Sequence, residues 1–124
     1  MILFAWIRLP EKRKDNRPKT PEKQERLNYY LSTTWRRLRQ QKVKESPLCE
    51  RCLAQGRVEP MREVHHLVKW FQFKNEETRL RMFTDYENLY SVCTKCHRYL
   101  DTEGIAESIE IYNKRKLDAT NEGS

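Results

Sequence analysis

All four cysteines and all three histidines of this 124-residue chain fall between Cys49 and His97. The cysteines stand as two C-x-x-C pairs, Cys49/Cys52 and Cys93/Cys96; His65-His66 lies between the pairs, and His97 follows the last cysteine directly. A two-residue spacer lets both thiolates of a pair face one ion in a tight turn, and soft thiolates at this spacing suit tetrahedral zinc. Four sulfurs leave no open position for a substrate, so such a site is structural. Two C-x-x-C pairs also admit two disulfides. The opening run MILFAWIRL lacks the charged n-region and small-residue cleavage site of a secretory signal, which makes a reducing cytoplasmic setting and a metal the expectation. The same run is too short to span a membrane.

Composition sets the need for such a brace. With 37% hydrophobic and 35% charged residues, the chain has apolar material for one modest core. Its net charge of +7 is uneven: residues 1–46 carry a net +8, and residues 47–124 a net −1. A basic third joined to a near-neutral domain points to a polyanion, most simply nucleic acid, whose phosphates bind Lys and Arg with release of counterions. The plainer alternative is a solubilising surface.

In chain order, Met1–Leu9 reads as a short strand or apolar patch, and the charged, proline-broken stretch from Glu11 to Pro21 as a mobile arm. Thr20-Pro21 is a helix start, and Leu27, Tyr30, Leu31, Trp35 and Leu38 recur at helical spacing, with Ser32 as a second cap able to split the segment. Arg36, Arg37 and Arg39 lie on the rest of that surface and are candidates for gripping a phosphate backbone. Trp35 reads as a core anchor. The chain from Arg57 to Val68 reads as strand with a break at Pro60. Asn75–Met82 reads as a short helix, Asn88–Val92 as a second strand, and a helix capped by Thr94 runs to about Glu103. A final helix carries Ile105, Ile109 and Tyr112. The expected organisation is an arm and helix start over 1–29, a domain over 30–117, and a frayed tail over 118–124.

Adjacent side chains diverge on a strand, so His65 and His66 are not expected to be equivalent ligands. One can hold a metal while the other handles a proton, for which an imidazole with an ordinary pKa of about 6.5 is suited. The competing arrangement places His97 with three cysteines in a mixed zinc site and leaves His65-His66 at the surface.

Val64-His65-His66-Leu67, then Asp85-Tyr86-Glu87-Asn88-Leu89, then Cys93-x-x-Cys96-His97, framed by Trp35-Arg36-Arg37-Leu38-Arg39 and Cys49-x-x-Cys52, resemble an HNH endonuclease of the four-cysteine type found among phages and prophages. The resemblance covers roughly residues 30–102. It implies an α+β fold: a small ββα-metal core around one divalent cation, braced by a four-cysteine zinc site and flanked by helices. It further implies His65 and His97 as metal ligands, with Asp101 a weaker third, and His66 as the general base. Asn88 matches the middle asparagine, which fixes the loop orienting that base. Arg62, Lys95 and Arg98 are candidates for a cation that steadies the transition state, and Arg98 also for nucleic-acid contact. The implied activity is cleavage of DNA phosphodiester bonds with Mg2+, Mn2+ or Ni2+. The alternatives are a non-catalytic zinc module that binds nucleic acid and an adaptor that docks on a phage terminase or packaging machine through Met1–Leu9.

Overall fold

A computed structural model describes residues 17–122 of the protein. Met1–Leu9 and most of the charged arm lie outside the described residues. Six helices and two strands follow in the order α1 (Pro21–Tyr30), α2 (Thr33–Glu45), α3 (Glu50–Ala54), β1 (Glu63–His66), α4 (Glu76–Thr84), β2 (Leu89–Val92), α5 (Thr94–Asp101) and α6 (Ile105–Glu122). Short 3-10 turns at Trp70–Gln72 and Tyr86–Asn88 flank α4.

The helix starts follow capping chemistry. Thr20 accepts the Lys23 amide, with Pro21 in the first turn where its missing N–H costs nothing. Ser32 accepts the Trp35 amide at 3.2 Å and divides the basic segment into α1 and α2. Asn75 caps α4 through Thr78 N at 3.1 Å, and α4 continues to Thr84, two residues beyond the expected end. The cap of α5 is Cys93, not Thr94, and the helix closes at Asp101.

Strand is much shorter than the sequence suggested. Between Arg57 and Val68 only Glu63–His66 joins a ladder, because Pro60 offers no amide and makes just an isolated bridge with Leu48. β1 pairs antiparallel with β2 in the register Glu63↔Val92, Val64↔Ser91, His65↔Tyr90 and His66↔Leu89. The pair is no hairpin, since residues 67–88, α4 included, connect the strands.

Two apolar clusters sit against this small sheet. Tyr90 and Val92 pack with Leu67, Leu100 and the cysteines Cys49, Cys52 and Cys96. Leu89, one step out of phase, packs with Trp35, Trp70 and Phe83. This alternation is the period-two pattern of a strand buried on both faces. Trp35 is thus a core residue, whereas Val58 is exposed.

Polar residues complete the interior. Glu50 at the start of α3 accepts Lys42 Nζ at 2.9 Å, Arg115 Nη2 at 3.0 Å and the Ser91 amide at 2.7 Å. Arg115 also donates to the carbonyls of Glu87 and Leu89, both at 2.8 Å. Lys42 is buried, and this carboxylate is what makes its burial tolerable. Of the three apolar residues that mark α6, Tyr112 packs on the domain together with Ser108, Ile111 and Arg115, while Ile105 and Ile109 are exposed. The helix runs on through Asp118 to Glu122.

Between α5 and α6 the chain needs Gly104. Its amide donates to Tyr99 O at 2.8 Å and its carbonyl accepts the Ser108 amide at 2.9 Å. A Cβ there would stand 2.4 Å from Tyr99 Cε1. Gly104→Ala is expected to lower stability by about 1–3 kcal/mol in urea melts, as overpacking does. Val58→Ala, at a position 72% exposed, should shift it by no more than about 0.5 kcal/mol.

Candidate metal centres and active site

Bonds of about 2.3 Å to a tetrahedral ion put sulfurs about 3.8 Å apart. Cys52 Sγ lies 3.9 Å from Cys93 Sγ and 3.7 Å from Cys96 Sγ, and all four sulfurs fall within 4.8 Å of one another. The cysteines are unpaired thiols. Packed this closely they oppose one another's ionisation: burial and the neighbouring thiols push Cys52 up to about 12. At Cys49 burial also opposes ionisation, but hydrogen bonds involving Cys52 and Cys93 outweigh it and bring that thiol to about 7. A cation at the centre removes this conflict, so the donor set fits a thiolate-bound metal. Arg51 Nη1 at 3.6 Å from Cys96 Sγ and Arg57 Nη2 at 3.8 Å from Cys52 Sγ add positive charge outside the cluster.

The histidines form a separate centre. His65 and His66 leave the sheet on opposite faces, and His97 turns from the sulfurs toward His65, with ring centroids 5.2 Å apart. His97 and Asp101 share one face of α5, four residues apart, with His97 Nε2 3.2 Å from Asp101 Oδ2. His65 Nδ1 lies 3.5 Å from Asp101 Oδ1.

Hydrogen bonding identifies the lone pairs. Ser108 Oγ donates to the Leu67 carbonyl at 2.6 Å, so the same oxygen must accept from His65 Nε2 at 3.0 Å. That leaves His65 Nδ1 without a proton, facing a carboxylate. Burial dominates its environment and holds His65 near 4, so protonation does not resolve the clash. On His97, Nδ1 rests against the carboxylate of Glu63, whose Oε2 is otherwise without a hydrogen-bond partner; Nε2 is left for Asp101. Two imidazoles and a carboxylate thus converge, each offering one ligand atom within 4.8 Å of the others. Such a donor set fits a divalent cation, whose adjacent oxygen or nitrogen ligands stand roughly 3 Å apart. Glu63 orients His97 in the manner of a carboxylate behind a ligand imidazole.

His66 occupies other surroundings. Its ring packs against Trp35, at 5.1 Å and 27°, and against Phe83, at 5.0 Å and 17°, which also touch each other at 5.0 Å. Nε2 donates to Phe83 O at 3.1 Å, which leaves Nδ1 as the lone-pair nitrogen. Burial lowers its pKa to about 4, partly offset by that hydrogen bond.

His65, His66, His97 and Asp101 all line one cleft of about 870 Å³, whose rim carries Arg26, Arg39, Arg62 and Lys69. Of the basic residues singled out from sequence, Arg39 and Arg62 reach this cleft; Arg36, Arg37, Lys95 and Arg98 are not among its walls. Lys69 was missed, whereas Arg26 belongs to the basic surface of the helical segment already read from the sequence and here reaches the cleft.

Asn88 is wholly buried and absent from the cleft walls. Its side chain accepts from Val68 N at 2.8 Å and donates to Val68 O at 3.1 Å and Met82 O at 3.0 Å. It therefore pins the chain after β1 to the end of α4, where Met82 O and Phe83 O are held by Asn88 and His66 respectively.

A two-stranded sheet and a helix enclosing a histidine cluster, with a four-sulfur knuckle beside it, define a ββα-metal domain. Residues 49–103 match the family model described as HNH endonuclease, and this stretch is an HNH domain. The structure is also similar to the crystal structure of the HNH endonuclease of the deep-sea thermophilic bacteriophage GVE2 with manganese ion, at a TM-score of 0.55 and 26% identity over 69% of this chain and 88% of that one. No match was found among curated proteins.

The Asn88 contacts give a direct test. Asn88→Ala strands the Val68 amide and two carbonyls in the interior, each costing on the order of 1 kcal/mol or more. A loss of about 3 kcal/mol in urea unfolding is expected, with zinc supplied in excess.

Proposed function

We propose that the protein is a metal-dependent endonuclease that hydrolyses DNA phosphodiester bonds. The observation that carries this reading is the convergence of His65 Nδ1, His97 Nε2 and the Asp101 carboxylate in the same cleft as His66, under a basic rim. The HNH match and the similarity to a crystallised phage endonuclease support it.

In this reading Cys49, Cys52, Cys93 and Cys96 hold a structural Zn2+. His65, His97 and Asp101 would hold Mg2+, Mn2+ or Ni2+, which supplies positive charge beside the phosphate when bound. Arg26, Arg39, Arg62 and Lys69 attract the phosphate backbone, while Arg36, Arg37 and Arg98 meet DNA flanking the cleft. His66 Nδ1 takes a proton from water, which attacks phosphorus in line with the 3′ oxygen. The bond from phosphorus to that oxygen breaks, the 3′ oxygen collects a proton from solvent, and the product keeps a 5′ phosphate. Phe83 O keeps the base in the correct tautomer, and Asn88 keeps Phe83 in place. Arg62 is the best-placed candidate to balance charge on the phosphate.

Purified protein with supercoiled plasmid and Mn2+ should give nicked or linear product. His66→Ala should slow it by about 10²- to 10⁴-fold, the usual worth of a general base. Full cleavage by His66→Ala would sink the mechanism, and intact plasmid with every cation would leave a zinc module that binds without cutting.

The rate should also depend on pH in an unusual way. Since burial holds His66 near 4, its neutral form persists throughout the range around neutrality. An imidazole at its ordinary pKa of about 6.5 would lose roughly three-quarters of its neutral form between about pH 8 and pH 6. At saturating Mn2+ the rate is expected to hold within about twofold over that interval and to fall only as pH drops toward 4; a cation beside His65 lowers the His66 pKa further, in the same direction. A midpoint near 6.5 would contradict this.

A further inference from the structure

Ser108 lies on α6, beyond the matched HNH stretch, and nothing in the sequence marks it. It is nonetheless 1% exposed and touches His65, which is 3% exposed. From the geometry we infer that Ser108 is a positioning residue for the cation site: its hydroxyl, directed by the Leu67 carbonyl, fixes His65 in the tautomer that presents Nδ1 as the ligand atom. The inference rests on the reading of His65, His97 and Asp101 as a metal site.

The argument follows from which atoms can donate. The Leu67 carbonyl only accepts, so the 2.6 Å contact consumes the serine proton. At 3.0 Å the serine oxygen then offers His65 Nε2 a lone pair and nothing else. An imidazole protonated at Nδ1 would put two lone pairs face to face at Nε2 and Oγ. Such a ring would instead donate from Nδ1 to Asp101 Oδ1, now 3.5 Å away, and close the centre on itself. Ser108 tips this choice. An imidazole's second nitrogen is commonly held by a carboxylate or carbonyl when the first binds metal. Here a hydroxyl relays a carbonyl's polarity, because α6 stands between.

The position of Ser108 is itself determined. Its amide donates to Gly104 O at 2.9 Å, and its neighbour Glu107 accepts from Arg51 Nε at 2.7 Å. Arg51 in turn reaches Cys96 Sγ. Consecutive residues of α6 thus reach the surroundings of both metal centres.

The test uses full-length, zinc-loaded protein and Mn2+ as the probe. In manganese-free protein at neutral pH, isotope-labelled histidine nitrogen shifts should show His65 protonated at Nε2. In Ser108→Ala the signal should move toward the Nδ1-protonated form, and Mn2+ affinity, read by electron paramagnetic resonance, should weaken by about 10- to 100-fold. Zinc content by mass spectrometry should match wild type, which separates the effect from loss of fold. A wild-type His65 protonated at Nδ1, or a Ser108→Ala protein that binds Mn2+ as tightly as wild type, overturns the inference. If His97→Ala leaves Mn2+ binding unchanged, the site reading fails and takes with it the effect on affinity. The tautomer signature, read with no manganese present, shows separately whether Ser108 fixes the ring.

Discussion

Consecutive residues on an extended strand point to opposite faces, and β1 places that alternation under His65-His66. One imidazole enters the space walled by α5 and α6; the other enters the aromatic space formed with Trp35 and Phe83. A slip of one residue against β2 would exchange them and undo both environments. The register is held by a strand of only four residues, so the surroundings must fix what the ladder cannot. Leu67 N to Asn88 O at 2.8 Å and Arg62 N to Val92 O at 2.8 Å extend the pairing past each end.

The arrangement is maintained with few apolar residues. The two clusters number eleven buried side chains, three of them cysteines. Charged side chains do work usually left to aliphatic ones: Glu50 gathers Lys42, Arg115 and the Ser91 amide, and so joins α2, α3, β2 and α6. Asp85 plays a similar part at the other side, accepting Lys116 Nζ at 2.8 Å and Tyr112 Oη at 2.9 Å. Removing Glu50 would leave the buried Lys42 as an unpaired charge, which costs more than the intact pair contributes.

What the sequence disclosed followed from scarcity and spacing. Of the seven Cys and His residues in nested order, six separate into two clusters and His66 stands apart, because C-x-x-C geometry is local and because adjacent histidines cannot share a face. Caps at Thr20, Ser32 and Asn75 are likewise local. Residues whose role depends on distant partners were illegible: Ser108 meets His65 across 43 positions, and Glu50 meets Arg115 across 65. On α6 the apolar residues tell only part of the packing: Tyr112 faces inward, Ile105 and Ile109 are exposed, and Ser108 and Arg115 are held inward by the carbonyls of Leu67 and Leu89. Hydrophobic spacing cannot register a polar face that is buried by its partners.

The bond from His66 to Phe83 O has an electrical consequence. Phe83 is the penultimate residue of α4, whose last carbonyls have no partner within the helix. Those carbonyls carry the partial negative charge of the helix dipole, so His66 touches a negative pole without any carboxylate hydrogen-bonded to it. If the ring accepts a proton during turnover, the new positive charge arises against that pole. A fixed dipole can steady a charge that exists for one step, yet it is too weak to keep the buried ring protonated at rest.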